Sequence, residues 1–388
     1  MSLVARRIHE GSKKSFGMFE KAMALAADGA DLIHLEVGRP SHDTPGHIVE
    51  ATVAALRAGH HHYSDMRGLS ELRAAFAAKL RAENAMDVTA DQVLVTNGLT
   101  HGSYAAIMAT VDPGDEVLLL EPYYPQHIGK IELAGGKVVP APLDASAGFA
   151  IRADLIEAAI TPATKAIILI NPCNPTGRVF TRAELEALAE LAIRHDLLVI
   201  SDEVYEAITF GPKHISIASL PGMAERTVTL FAYTKAFAMD GWRLGCAVAS
   251  PDLIAAMMKI TMNDVTHVNS FVQYGALEAT LNGAASLAAM VAEDRSKRDM
   301  VVRALNQMPG VACREPEGTI YAFADIRAVG IPSQLLAERI LEEAHVVVEA
   351  GSFYGPAGEG FLRICFGSES HERMEEAMKR LARFFGGI

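Results

Sequence analysis

A lysine and an arginine that lie eight residues apart are the residues of this sequence whose types and surroundings most directly indicate a catalytic role. Lys235 and Arg243 lie among apolar residues in the stretch 227–249, TVTLFAYTKAFAMDGWRLGCAVA. Apolar surroundings lower the pKa of a lysine amine, and the neutral amine is the form that attacks a carbonyl. An arginine guanidinium fits a phosphate. The pair suggests pyridoxal 5′-phosphate; the alternative is that Lys235 is a turn residue whose amine reaches water.

Other polar and aromatic residues follow apolar runs elsewhere in the chain. The turn NGLTHG, residues 97–102, opens a helical stretch and predicts either an anion site or an ordinary helix cap. Tyr123 and Tyr124 lie between prolines and suit either a flat ligand or loop packing. Asn174 lies in NPCNPTG, residues 171–177, where two Asn-Pro pairs predict an irregular loop. Asp202 and Tyr205, three residues apart, could reach one ligand.

The elements that must position these residues are strands alternating with amphipathic helices from about residue 90. This alternation predicts an α/β fold with a mainly parallel sheet covered by helices. Ligands in such sheets bind at the carboxyl ends of the strands, so the residues above are expected to share one pocket. The strand candidates are QVLVT, EVLLLE, KVVPA, KAIILI, LLVIS, TVTLFA and CAVAS.

Composition excludes several classes of protein. A net charge of -12 argues against nucleic acid as the main partner. The longest apolar runs have the length of strands, and the first residues lack a secretory apolar region. Four scattered cysteines suggest reduced thiols in a cytoplasmic protein. His60, His61 and His62 allow a metal-site hypothesis, but adjacent residues point in different directions, so a solvated loop is favoured and no metal is predicted.

With these residues in view, the chain resembles the class I/II aminotransferases, which are pyridoxal-phosphate enzymes of the aspartate-aminotransferase-like fold (fold type I). The resemblance extends along nearly all of the sequence. Its most specific parts are NPCNPTG and the order of SDEVY, Lys235 and Arg243. The segments that carry it are LEVGRP with Gly38, HHYSDMRG with Tyr63, NGLTHG, PYYP, NPCNPTG, SDEVY, YTKAFAMDGWRLG and FLRICF with Arg363.

The resemblance implies a role for each matching residue. Lys235 is the Schiff-base lysine and proton shuttle, Asp202 pairs with the pyridine nitrogen, and Tyr205 bonds the ring oxygen together with Asn174. Tyr124 stacks on the ring, and Tyr63 reaches the phosphate in the neighbouring subunit of a homodimer with shared active sites. The phosphate ligands are Gly98, Leu99, Thr100 and Arg243, and the ligands of the substrate α-carboxylate are Gly38, Asn174 and Arg363.

The implied reaction moves an amino group from an L-amino acid to a 2-oxo acid by a ping-pong mechanism. A pyridoxal-phosphate β-lyase could use the same residues and stays an alternative. A DNA-binding regulator on this fold would need an added domain, for which the region before residue 30 has no room, and a nicotinamide dehydrogenase would need a GxGxxG motif that is absent from the sequence.

Departures from the family pattern bear on the substrate. Ala232 stands where many relatives have a serine near the phosphate, and Thr100 where some dicarboxylate-specific relatives carry a lysine. His101 or the loop 266–271 could take over that lysine's role. The donor is therefore expected to be neutral, aromatic or acidic, without a strict preference for aspartate.

The sequence also predicts two domains. A large cofactor-binding domain with a seven-stranded sheet is expected over residues 46–285, and a smaller α/β domain over 1–45 and 286–388. Helices are expected near 17–27 and 46–58, from Ser70 as N-cap, and over 264–308 with a break near Gly283. The first thirty residues are expected to pack on the small domain.

Overall fold

The computed structural model describes residues 3–5, 7, 8, 17–27 and 29–388. The predicted packing of the first thirty residues therefore falls partly outside the described residues. Within them, Met18 and Ala22 pack into a core with strands and helices of the last eighty residues. No helix among the described residues is both long and apolar enough to cross a membrane.

The strands include all seven predicted in the first two-thirds of the chain. In chain order they are β1 (Ile33–His34), β2 (Val93–Thr96), β3 (Glu116–Glu121), β4 (Lys137–Pro142), β5 (Thr164–Ile170), β6 (Leu198–Asp202), β7 (Thr227–Ala232), β8 (Gly245–Val248), β9 (Ala312–Cys313), β10 (Tyr321–Asp325), β11 (Val346–Val347), β12 (Glu349–Ala350) and β13 (Phe361–Cys365).

The α-helices alternate with these strands. In chain order they are α1 (Met18–Ala27), α2 (Gly46–Arg57), α3 (Ser70–Glu83), α4 (Gly98–Thr110), α5 (Gln126–Leu133), α6 (Ala153–Glu157), α7 (Arg182–Arg194), α8 (Tyr233–Ala236), α9 (Pro251–Thr261), α10 (Ser270–Asn282), α11 (Ala284–Leu305), α12 (Ser333–Ala344) and α13 (His371–Phe385). The predicted break near Gly283 is present between α10 and α11.

A seven-stranded sheet positions the predicted site. Its strand order is β2-β8-β7-β6-β5-β3-β4, and every neighbouring pair is parallel except those that include β8. Because β8 is antiparallel to both of its neighbours, β2 runs in the same direction as β7. The carboxyl ends of β2, β3, β5, β6 and β7 therefore meet at one edge, as predicted for an α/β fold with a mainly parallel sheet.

Both faces of this sheet are buried. On β5, Ile167 and Leu169 belong to the core beneath α7, while Ala166 and Ile168 belong to the core beneath α4 and α9. This alternation explains why the strand reads as a continuous apolar run, which is typical of a parallel sheet between helical layers. A four-stranded antiparallel sheet, β12-β13-β10-β9, lies in the last eighty residues. The domain boundaries 46–285 and 1–45 with 286–388 stay a prediction.

The prediction that Ser70 caps α3 is wrong. Ser70 is the first helical residue, and Leu69 is the N-cap residue. The Leu69 N–H donates to the Gln273 side chain at 2.8 Å, so a residue of α10 fixes the start of the helix. The Ser70 hydroxyl donates instead to Glu71, at 2.9 Å.

Glu349 of β12 gives a testable pH dependence of stability. It is 3% exposed, and burial raises its pKa from 4.5 to about 7 although the Met18 and Ala350 N–H groups donate to it. The folded state thus binds more protons than the unfolded state between these values. Stability from this group is complete below pH 4.5 and is lost as pH rises through about 7, by about 3 kcal/mol at most.

We therefore expect Glu349→Gln to flatten the fall in Tm between pH 5 and pH 8, measured by thermal denaturation of both proteins with the same cofactor content. The exposed Glu342→Gln is the control and is expected to keep the wild-type profile. Parallel pH profiles for wild type and Glu349→Gln would contradict the assignment.

Candidate active site

The predicted site residues lie where strands of the large sheet end. Gly98 follows β2, Tyr124 follows β3 and Asn174 follows β5, while Asp202 is the last residue of β6 and Lys235 lies just after β7. The ends of β3 and β6 meet, because the Tyr124 ring contacts the His127 ring and His127 lies beside Asp202. These residues therefore lie at one edge of the sheet, and their sharing of one cofactor pocket stays a prediction.

Lys235 presents its amine to this edge. The short helix α8 starts directly after β7 and leaves the side chain partly buried. Burial lowers the pKa of the amine, because the charged form loses water. The Nζ donates a hydrogen bond to the Gly38 carbonyl. The turn-residue alternative, with an amine in open water, does not fit these surroundings.

Arg243 lies against the N-terminus of α4. Its backbone has a φ of 53°, a left-handed conformation that costs about 1 kcal/mol or more for a non-glycine residue. A Cβ on Gly98 would be 2.5 Å from its Nη2, and Gly98 itself has a φ of 74°. Leu99 is partly buried and Thr100 is exposed, both in the first turn of α4. Backbone N–H groups and a guanidinium thus share a small space that suits a phosphate.

We expect Gly98→Ala to weaken cofactor binding by about 10- to 100-fold, because both the backbone and the guanidinium must shift. The measurement is a fluorescence titration of apoprotein with pyridoxal 5′-phosphate. Gly46→Ala is the control, since a Cβ there meets nothing within 4 Å. Equal affinities for all three proteins would mean that this space is not the phosphate site.

Asp202 has a neighbour that the sequence did not reveal. Its Oδ2 lies 3.7 Å from the Nε2 of His127, a residue of α5 that is 0% exposed. Burial lowers the pKa of His127, and the charge of Lys130 adds to this effect. Tyr124 meets the His127 ring edge-on, at 5.8 Å between centroids. Because His127 is neutral, it is not a cationic partner for Asp202. The carboxylate can therefore accept a hydrogen bond from the protonated ring nitrogen of a ligand.

Arg363 of β13 contacts Asn174, the residue that follows β5. The Arg363 guanidinium donates to Asn174 Oδ1 at 3.1 Å and to the Glu36 carbonyl. Its Nε has no partner in the described part of the chain. Both hydrogen-bond acceptors are uncharged, and the Glu349 side chain, which lies opposite Arg363 in the sheet, has a pKa raised to about 7 by burial and is therefore an incomplete counter-charge for this buried cation. A carboxylate ligand would complete this arrangement.

Two tyrosines outside the predicted set enclose Arg363. Its guanidinium carbon lies 4.3 Å from the Tyr321 ring centroid and 4.9 Å from that of Tyr354. The Tyr321 and Tyr205 hydroxyls are hydrogen-bonded at 2.7 Å. A Cβ on Gly38 would lie 1.8 Å from the Tyr321 hydroxyl, so only glycine fits there. Tyr321 reads in the sequence as an ordinary strand residue, and nothing local signals its position.

Tyr63 is the predicted site residue that stands apart. It is 88% exposed and meets the ring of His267 edge-on at 4.9 Å. Its predicted role needs a neighbouring subunit. The adjacent residues His60 to His62 are also exposed, and no group of three metal-ligating side chains is found among the described residues.

The residues present fit pyridoxal 5′-phosphate. Lys235 offers an amine of lowered pKa for its aldehyde, and the absence of a Cβ at Gly98 lets the Arg243 guanidinium lie beside the N-terminus of α4. Asp202 is a buried carboxylate that accepts a hydrogen bond from the Val204 N–H at 3.2 Å. An amine, a phosphate cradle and a carboxylate are the three groups that this cofactor requires.

Comparisons with known proteins agree with this geometry. The family model "Aminotransferase class I and II" matches residues 30–381. The arginine–pyruvate transaminase of Pseudomonas aeruginosa is 37% identical, over 97% of this chain and 96% of its own. An aspartate aminotransferase of Pyrococcus abyssi is 39% identical over 94% of both chains. The aromatic aminotransferase structure from Pyrococcus horikoshii has a TM-score of 0.90 at 38% identity, covering 95% of this chain and 98% of its own.

These similarities extend over nearly the whole chain and do not favour the β-lyase alternative. The family uses pyridoxal 5′-phosphate, which the site fits. The chain therefore belongs to the class I and II aminotransferases, the pyridoxal-phosphate enzymes that its sequence motifs predict.

Proposed function

We propose that this aminotransferase works by a ping-pong mechanism between an L-amino acid and a 2-oxo acid, with Lys235 and Arg363 on opposite sides of the substrate. The observation that best supports this proposal is the set of contacts made by Gly38. Its carbonyl accepts from Lys235, and its α-carbon faces Tyr321, on whose ring Arg363 lies. This geometry supports a substrate whose carboxylate reaches Arg363 while its amino group reaches the region of Lys235.

When bound, pyridoxal 5′-phosphate supplies an aldehyde that takes up the amino group and a ring that stabilises negative charge at the substrate Cα. Arg243 and the backbone of Gly98, Leu99 and Thr100 would hold its phosphate. Asp202 holds a proton on the ring nitrogen, since an anion beside that nitrogen favours its charged form.

The remaining groups orient the ring and the substrate. Tyr205 and Asn174 would donate to the ring oxygen of the cofactor, and Tyr124 would lie against its ring. Arg363, together with Asn174 and Gly38, binds the α-carboxylate through the paired N–H donors of its guanidinium. This binding orients the Cα–H bond toward Lys235, whose neutral Nζ takes the proton.

The structure supports a donor that is neutral or aromatic at least as well as an acidic one. Thr100 is uncharged. His101 accepts the Asn97 N–H at its Nδ1 at 3.0 Å, and burial lowers its pKa, so it is not a fixed cation for a second carboxylate. The names of similar proteins state different amino-acid substrates, namely arginine, aspartate and aromatic amino acids.

The donor is tested by following ¹⁵N from labelled L-phenylalanine, L-alanine, L-aspartate and L-arginine into glutamate or alanine, with 2-oxoglutarate or pyruvate as acceptor. We expect transfer from phenylalanine or alanine at least as fast as from aspartate. Transfer from aspartate alone would contradict the proposed preference, and release of labelled ammonia would indicate a lyase.

We further propose a homodimer with shared sites in the cytoplasm, built from a large domain (46–285) and a small domain (1–45 and 286–388). The exposed Tyr63 supports a partner surface there, and four buried cysteines without disulfides fit a reducing compartment. Mixing Tyr63→Ala and Lys235→Ala subunits tests the sharing. One site of each mixed dimer then has both wild-type residues and is expected to regain wild-type cofactor affinity; no gain would contradict a shared site.

A further inference from the structure

We propose that Tyr321 is a positioning residue that joins the two halves of the active site, its ring holding Arg363 and its hydroxyl holding Tyr205. This inference rests on the proposed roles of Arg363 at the substrate carboxylate and of Tyr205 at the cofactor's ring oxygen. It goes beyond them, because it predicts that two separate properties of the site depend on different atoms of one side chain.

The ring of Tyr321 is placed by strand register. In the antiparallel pair β10–β13, Tyr321 lies opposite Cys365 and Phe323 lies opposite Arg363. Tyr321 and Arg363 are therefore diagonal neighbours on one face of the sheet. The guanidinium carbon sits 4.3 Å from the ring centroid, within the range of a cation–π contact. Such a contact is stronger when both groups are buried, and Tyr321 is 2% and Arg363 is 5% exposed.

The hydroxyl of Tyr321 has a different partner. It lies 2.7 Å from the Tyr205 hydroxyl, and either oxygen can be the donor. A phenol donates one proton and accepts others. If Tyr321 donates, the proton of Tyr205 is free for the cofactor's ring oxygen, and accepting a hydrogen bond makes Tyr205 the stronger donor. Burial raises the pKa of Tyr205 well above its usual value, which keeps that proton on the phenol.

The position of the Tyr321 hydroxyl is also fixed by Gly38. The space that a Cβ would fill at Gly38 is occupied by this hydroxyl. The carbonyl of the same glycine accepts from Lys235. Tyr321 therefore contacts the backbone beside the reactive amine as well as the carboxylate-binding arginine, so its two parts can act on two events in the same site.

The experiment separates the ring from the hydroxyl in the holoenzyme. Tyr321→Phe keeps the ring, and Tyr321→Leu removes both. One readout is the pH midpoint of the bound cofactor's visible band, which reports on the ring oxygen. The second readout is the affinity for succinate and for 3-phenylpropanoate, measured as dissociation constants. Both compounds carry a carboxylate but no amino group. Neither readout requires turnover.

We expect Tyr321→Phe to raise the pH midpoint by about 0.5 to 1 unit, because a weaker Tyr205 donor stabilises the anionic ring oxygen less. Its carboxylate dissociation constants should stay within about twofold of wild type. Tyr321→Leu should show the same midpoint shift and also weaken carboxylate binding by about tenfold.

The matched control is Tyr233→Phe. Tyr233 is also a buried phenol that bonds a hydroxyl, that of Thr280 at 2.6 Å, but it does not contact Arg363 or Tyr205 through any described interaction. It should lose similar thermal stability while keeping both readouts.

A wild-type midpoint in Tyr321→Phe would overturn the role of the hydroxyl, and wild-type carboxylate binding in Tyr321→Leu would overturn the role of the ring. Failure of the proposed function looks different, since then the wild-type protein itself neither binds the carboxylates nor transfers an amino group.

Discussion

Replacing Lys235 by alanine is expected to abolish amino transfer, with kcat falling by about 10⁴-fold, and to remove the visible band of covalently bound cofactor. The reason is the proposed double role of one atom: Nζ would bond the aldehyde carbon of the cofactor and would later move the Cα proton. Burial lowers the pKa of this amine, so more of it is neutral near pH 8 than for an exposed lysine.

The check is an absorption spectrum together with borohydride reduction, followed by mass spectrometry of the peptide that contains residue 235. The cofactor's mass should be found on Lys235 in the wild type and on no peptide of the variant. Lys165→Ala, at an exposed position of β5, is the control and should keep both band and activity. An active Lys235→Ala protein would remove this lysine from the mechanism.

Arg363→Ala is expected to raise KM strongly and to lower kcat/KM by about 10³-fold. The guanidinium is the buried cation of the site, and losing a charge-assisted fork to a carboxylate costs several kcal/mol. Arg363→Lys should recover only part of the loss, because the ammonium keeps the charge without the planar fork and cannot satisfy Asn174 and the Glu36 carbonyl together.

The measurements are KM for the best donor and the dissociation constant of succinate, with Tm as a control for folding. Arg383→Ala on α13 is the matched variant, since that arginine is 74% exposed and outside the site. An unchanged KM in Arg363→Ala would show that the substrate carboxylate binds elsewhere.

Much of the fold was predictable because buried parallel strands and amphipathic helices leave different periodic patterns. The residues at strand ends were predictable for the same reason: parallel strands place their carboxyl ends at one edge. Lys235, Asp202 and Asn174 are examples, each following an apolar run. Their roles came from the family resemblance rather than from the pattern.

What the sequence did not reveal depends on contacts between distant segments. His127 reaches Asp202 although β5 lies between β3 and β6 in the sheet, and no local pattern encodes this strand order. Tyr321 meets Tyr205 across 116 positions of sequence. The start of α3 at Ser70 was predictable, but its N-cap residue was not, since Gln273 of α10 accepts the Leu69 N–H.

The most direct test is the absorption spectrum of the holoenzyme before and after adding a single L-amino acid without any 2-oxo acid. We expect the visible band to give way to the absorbance of pyridoxamine phosphate, to return when a 2-oxo acid is added, and to do so without release of ammonia. A band that persists while ammonia appears, or the absence of any band after pyridoxal 5′-phosphate is added, would contradict amino transfer through Lys235.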